Sequence, residues 1–130
     1  MKIGRREFVA ATGVTIPAAL FSFGNVSGGM AMYGLIGKMT AVEGKRDDLI
    51  KILLDGVSGM PGCLSYIVAK DPTDANAIWI TEVWESKQSH DASLNLTSVK
   101  DAIKKGRPLI AGFSDSHTTE PVGGHGLSKK

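Results

Sequence analysis

Three features of the sequence predict an α+β domain of the ferredoxin-like kind, in the element order β-α-β-β-α-α-β. Strand and helix patterns alternate from residue 32 onward. Two successive strand patterns are joined by one short polar turn. The 130 residues leave room for one domain and little more. A βαβ unit split around a hairpin closes as one antiparallel sheet with its helices on one face.

The first strand is read over residues 32–41, where Gly34 and Gly37 mark a bend or a close backbone approach. Residues 43–58 follow as a helix. Leu49, Ile50, Leu53, Leu54 and Val57 recur there at helical spacing, with Lys45, Asp48, Lys51 and Asp55 largely on other faces. Gly56, Gly59, Pro61 and Gly62 end it. Residues 63–70 are rich in β-formers, residues 71–76 (Asp-Pro-Thr-Asp-Ala-Asn) make a polar turn, and residues 77–84 form the returning strand. Ser86 is placed to cap a short helix over residues 87–94. Ser98 is placed to cap a second, with Asp101 three residues on as a partial capping box. Gly106 and Pro108 close that helix. A mostly polar last strand is expected over residues 113–120, then an irregular tail. A single thin sheet with one uncovered face needs a partner, so a homodimer is expected.

Residues 1–29 read differently from the rest. Lys2, Arg5 and Arg6 precede an uncharged apolar run, residues 8–23, and then small residues. That is the order of a secretory signal, and Arg5-Arg6 before Glu7-Phe8 resembles the twin-arginine export motif. The expectation is an exported, extracytoplasmic protein whose signal is either cleaved or kept as an anchor, with residues 30–130 as the folded domain. The run is short for a spanning helix of about 20 residues, so no stable membrane insertion is expected unless the signal is retained.

Charge narrows the partners. The leader carries three basic residues and one acidic, which accounts for the net +2, and the remainder balances 12 basic against 12 acidic. A neutral body offers no footprint for nucleic acid. Cys63 is the only cysteine, so no intrachain disulfide can form. With His90, His117 and His125 scattered apart, it makes a poor metal set, and no metal site is expected. Gly123-Gly-His-Gly126 precedes no helix and is not a phosphate loop.

Several phrases, taken in order, resemble the antibiotic biosynthesis monooxygenase (ABM) domain family, in particular its quinol monooxygenase branch. They are Tyr33-Gly-Leu-Ile-Gly-Lys-Met39, Met60-Pro-Gly-Cys-Leu-Ser-Tyr66 and Trp79-Ile-Thr-Glu-Val-Trp-Glu-Ser86. His90-Asp-Ala-Ser-Leu94, Arg107-Pro-Leu-Ile-Ala-Gly-Phe113 and Pro121-Val-Gly-Gly124 complete the set. The resemblance implies a dimeric α/β barrel with a pocket in each subunit between sheet and helices. It implies oxidation of hydroquinone-like or polyphenolic aromatics by dioxygen with no cofactor. The family also holds heme-degrading enzymes and proteins of unknown activity. Heme-degrading relatives place an axial histidine about ten residues after the strand-ending tryptophan, where this chain has Leu94, so heme ranks below quinol oxidation.

Such chemistry asks the protein to hold a ring, remove a proton and exclude water. His90 is the most natural proton acceptor, because an unperturbed imidazole titrates near 6.5; a solvated or carbonyl-bonded ring is the alternative. Glu82 and Trp84 share a strand face with Ile78 and Ile80. A carboxylate there either pairs with a cation or lines a cavity, as a second candidate base. Trp84 could wall the pocket and stack on a planar substrate. Tyr66 either bonds a substrate oxygen or anchors the sheet, and Arg107 either complements a helix C-terminus or steadies a phenolate. A non-catalytic module binding a small apolar molecule is the competing function.

Overall fold

Residues 31–127 are described by a computed structural model. The leader read in residues 1–29 lies outside the described residues. The elements are β1 (Tyr33–Ala41), α1 (Arg46–Gly56), β2 (Cys63–Lys70), β3 (Ala77–Trp84), α2 (Lys87–Ser93), α3 (Thr97–Gly106), a 3-10 turn (Arg107–Leu109) and β4 (Ile110–Thr119). All neighbouring strands are antiparallel, in the order β2-β3-β1-β4. This is the ferredoxin-like arrangement that the element order predicts.

Register fixes the faces of the sheet. Met39 pairs with Ile78, Leu35 with Glu82 and Tyr33 with Trp84, while Val68 and Tyr66 of β2 oppose Ile80 and Glu82. Directly paired residues point the same way, so all of these face the helices. The core forms there from Met39, Ala41, Leu49, Ile78 and Ile80, with Leu53, Val68, Leu109 and Ile110 packed around it. Trp84 and Ile78 are fully buried.

Helix α1 is shorter than its apolar pattern suggests. Leu49 is fully buried, but Leu54 is 51% exposed. Five residues on from Leu49 is about 140° around a helix, and only Leu53, four residues on, returns to the buried side. Val57 falls just past the helix end. Gly56 is where α1 meets α3: a Cβ added there would lie 2.6 Å from the Cβ of Ala102. Glycine therefore sets the helix–helix distance.

Ser86 caps α2 as expected, its side chain accepting from the Ser89 amide. Ser98 does not cap α3. The helix begins at Thr97, with Leu96 in the cap position and no side-chain cap bond, so the expected box lies two residues too far along the chain. After Gly106 the backbone stays helical through Arg107 and tightens into the 3-10 turn, whose Pro108 gives up no needed donor. β4 starts at Ile110, three residues before the polar pattern signals it. It carries an extra residue where β1 pairs step from Ile36–His117 to Lys38–Ser114, and Asp115 there adopts φ 48°.

The turn between β2 and β3 is tied down from outside. Arg46 Nη1 donates to the carbonyls of Asp71, Asp74 and Ala77 at 3.3, 2.9 and 3.3 Å. Asp71 accepts from the Thr73 amide and hydroxyl, each at 2.8 Å, and from Trp79 Nε1 at 2.9 Å. Those bonds, the Thr73 amide first, hold the Asp71 carboxyl down to about 2.

Candidate functional site

The inner face of the sheet, α1, α2, α3 and the start of β4 enclose a cavity of about 600 Å³. Its wall is mainly apolar: Met39, Leu49, Leu53, Val57, Met60, Val99, Ile103 and Phe113 all contribute. Polar side chains gather where β2, β3 and α2 meet. Glu82 and Tyr66 come from paired positions on two strands, Trp84 lies one strand repeat beyond Glu82, and His90 descends from α2.

The strand period places Glu82 here. Ile78 and Ile80 are core, and the same face two residues later opens into the cavity, so the carboxylate is only 16% exposed. Trp84 Nε1 donates to Glu82 Oε1 at 2.8 Å. Burial pushes the Glu82 carboxyl up from its ordinary value, against the Trp84 bond and nearby His90, which pull it down. The Tyr66 hydroxyl is pushed up strongly, first by burial and then by the Glu82 charge. Tyr66 is thus a neutral hydrogen-bonding group at any ordinary pH.

His90 is on α2 because Ser86 fixes where that helix starts; its side chain is 19% exposed and turned inward. Its ring lies tilted against Tyr33, with centroids 5.3 Å apart, and edge-on to Trp84 at 5.4 Å. Nδ1 lies 3.2 Å from Asp91 Oδ1, and Nε2 lies 4.0 Å from Glu82 Oε1. The Ser93 hydroxyl donates to the His90 carbonyl at 2.6 Å and so ties down the helix end.

All five residues singled out in the sequence, His90, Glu82, Trp84, Tyr66 and Arg107, line this one cavity. The first four form a cluster. Arg107 is exposed, on the 3-10 turn that follows α3, and makes no contact with that cluster among the hydrogen bonds and ion pairs of the described residues. Sequence reasoning missed Tyr33 and Asp91. Tyr33 was legible through strand period, since it shares the face of Leu35 and Met39. Asp91, adjacent to the histidine, carried no periodic signal at all. Leu94 also lines the cavity and offers no ligand to a heme iron. His90 is hemmed by Tyr33 and Trp84 with Nε2 directed at Glu82, so the residues do not fit a heme axial site.

The chain matches the model of the antibiotic biosynthesis monooxygenase family over residues 32–105, more than half its length. A crystal structure from Chloroflexus aurantiacus assigned to these monooxygenases is 65% identical, with a TM-score of 0.74. The match covers 75% of this chain and 100% of that one. A structure from Caulobacter crescentus, similarly assigned, matches at 20% identity and TM-score 0.66 over 72% of this chain and 92% of its own. One from Pseudomonas aeruginosa matches at 19% and 0.63 over 72% and 96%. These last two speak to the fold alone. No curated protein matches the chain. The fold, the position of the cavity and these matches agree, and the chain belongs to the antibiotic biosynthesis monooxygenase family.

Proposed function

We propose that the protein is a cofactor-independent monooxygenase that oxidises a hydroquinone-like or polyphenolic aromatic with dioxygen. The observation that carries this reading is one polar corner, Glu82, His90 and Tyr66, in a cavity otherwise walled by apolar and aromatic groups. Asp91, its carboxyl held below the ordinary range first by Lys87 and then by His90, is an acceptor only. In the neutral ring an acceptor at Nδ1 selects the tautomer with its proton there, which leaves the Nε2 lone pair on the side of Glu82 and the cavity.

A ring held against the apolar wall of the cavity brings a phenolic hydroxyl to Nε2, which takes its proton. The Tyr66 hydroxyl donates to the oxygen that gains charge. The hydroquinone anion passes one electron to dioxygen, and the semiquinone and superoxide combine at a ring carbon as a hydroperoxide. Loss of water leaves a hydroxyquinone: hydroquinone and dioxygen give hydroxyquinone and water, with four electrons taken from the ring. The apolar wall keeps bulk water from the intermediate. Arg107 also lines the cavity.

Oxygen uptake with a panel of hydroquinones tests the proposal. Uptake that persists with chelator present and without added flavin supports it. Saturable binding of the same compounds with no uptake by any of them transfers the reading to a carrier or sensor, which the largely apolar wall would also serve. The working unit in this proposal is a homodimer, supported by the apolar residues on the sheet's outer face. Its location is extracytoplasmic, supported by Arg5-Arg6 and the uncharged run after them. Exchange of both arginines for lysine is expected to strand the protein in the cytoplasm, and unchanged fractionation would remove the twin-arginine reading.

A further inference from the structure

A second depression, of about 280 Å³, adjoins the cavity and is lined by Lys100, Ile103, Lys104 and Arg107. Ile103 and Arg107 line both spaces, so the depression and the cavity share a wall. The spacing is that of a single helix stripe: positions i, i+3, i+4 and i+7 of α3 and the turn after it.

Three cations on one stripe are at odds with helix stability. Like charges at i,i+4 (Lys100 with Lys104) and i,i+3 (Lys104 with Arg107) repel. The helix C-terminus favours Lys104 and Arg107, but Lys100 lies a turn earlier, beyond the reach of that dipole. Asp101, next along the helix, is exposed and makes no ion pair with any of the three among the described residues. Nor does any other acidic group there reach them. Elsewhere among the described residues four lysines are paired, Lys38 with Asp71, Lys45 with Asp48, Lys70 with Asp47 and Lys87 with Asp91, while Lys51 and Lys105 stand exposed without an ion pair. What sets Lys100, Lys104 and Arg107 apart is that these unpaired cations line a depression beside the cavity.

From this we infer that the ligand is an amphiphile: an aromatic ring for the Glu82–His90 corner, joined to an acidic group that seats on Lys100, Lys104 and Arg107. The inference rests on the reading of the main cavity as the substrate site, and it narrows the substrate class. A space of 600 Å³ suits a ligand of drug size rather than one ring. A longer molecule fills it and ends at the basic stripe. A planar acid such as a carboxylate meets the Arg107 fork bidentately, with the two ammonium groups as point charges around it.

Binding is the first test, with Trp84 fluorescence as the readout, since that indole walls the cavity. The probes are two naphthohydroquinones that differ only in whether the alkyl chain ends in a carboxylate or its methyl ester. The acid is expected to bind about tenfold more tightly at low salt, as three partly exposed charge pairs allow. The preference should shrink at 1 M salt. In a Lys100→Ala/Lys104→Ala variant the ratio of the two dissociation constants should fall toward one. Equal affinities in the unmodified protein, a ratio unmoved by the double substitution, or binding of neither probe would each overturn the inference. If inorganic phosphate at millimolar concentration strengthens binding of the ester, the stripe holds a separate anion and the amphiphile is wrong. Oxygen uptake is followed in parallel. Acid preference without uptake sinks the monooxygenase reading and leaves the inference standing, whereas uptake without acid preference does the reverse.

Discussion

At the scale of single residues, the polar corner assigns separate jobs to two groups that could each accept a proton. Replacing His90 with alanine removes the free imidazole nitrogen, and hydroquinone turnover is expected to drop about 10²–10⁴-fold. The fold should persist, because alanine is the best helix former and α2 is pinned by Ser86 and Ser93 rather than by the imidazole. Steady-state oxygen uptake beside a thermal melt checks both halves; a folded, fully active variant would pass the role to Glu82. For Glu82 the clearest readout is pH. Its folded-state pKa is raised above the ordinary value of 4.5 by burial, so the native state favours the neutral acid. That contribution is fully present below pH 4.5 and is lost as the pH climbs through the raised value. A Glu82→Gln variant lacks the titration and keeps an amide oxygen for the Trp84 indole. Relative to the unaltered protein it should therefore gain stability between pH 4 and pH 8. Urea midpoints at those two pH values measure it, and a difference that runs the other way would mean that the carboxylate is stabilised in place.

At the scale of elements, the contact of α1 with α3 makes glycine, normally a poor helix residue, the better choice. A methyl group at position 56 would gain up to about 1 kcal/mol in helix propensity, and less at the last helical residue. It would also press on Ala102 at 2.6 Å, and such overpacking costs about 1–3 kcal/mol. Gly56→Ala is thus expected to lower stability by about 1–2 kcal/mol in urea denaturation, and a stabilised variant would show that the helices can move apart freely. The same contact marks where the sequence stops being readable. Strands β2 and β3 fell where their apolar and β-branched residues put them, because each alternation is a local statement about one face of one sheet. Glu82 and Trp84 could be put on the core face by counting in twos, and His90 could be put on the helix after it by its cap. Leu54 misled because it lies at the far edge of the apolar arc, about 140° from the buried Leu49, where α1 turns to solvent. Ser98 misled because a capping residue is only a local offer, and the turn at Leu94–Leu96 starts the helix one residue before it. The early start of β4 is set by pairing of Ile110 with Ala41, a contact between distant positions that no local pattern announces.

At the scale of the whole molecule, the face of the sheet turned away from the helices has to be accounted for. Ile67, Thr81 and Ile36 form one row across it, and Trp79 lies in the next row beside Lys38 and Asp71. Ile67 is 55% exposed, and Phe113 of β4, at the mouth of the cavity, is 71% exposed. The whole of β4 beyond Gly112 is exposed, although that edge strand is ten residues long. Long edges and apolar sheet faces invite pairing with another chain, and covering them would return about 25 cal/mol for each Å² of apolar surface removed from water. A second copy of this chain is the partner that needs no other gene product, and a two-fold axis would let one patch serve both sides. The purified protein is therefore expected to run as a dimer at micromolar concentration by light scattering. Ile67→Asp, which places a charge in the middle of the row, should weaken the dimer at least tenfold in dilution experiments, because a carboxylate buried there without a partner costs more than the isoleucine contributed. Circular dichroism of the diluted variant separates lost association from lost folding. A protein that is monomeric at micromolar concentration, with the sheet face intact and exposed, would leave that face free and remove the barrel from the proposal.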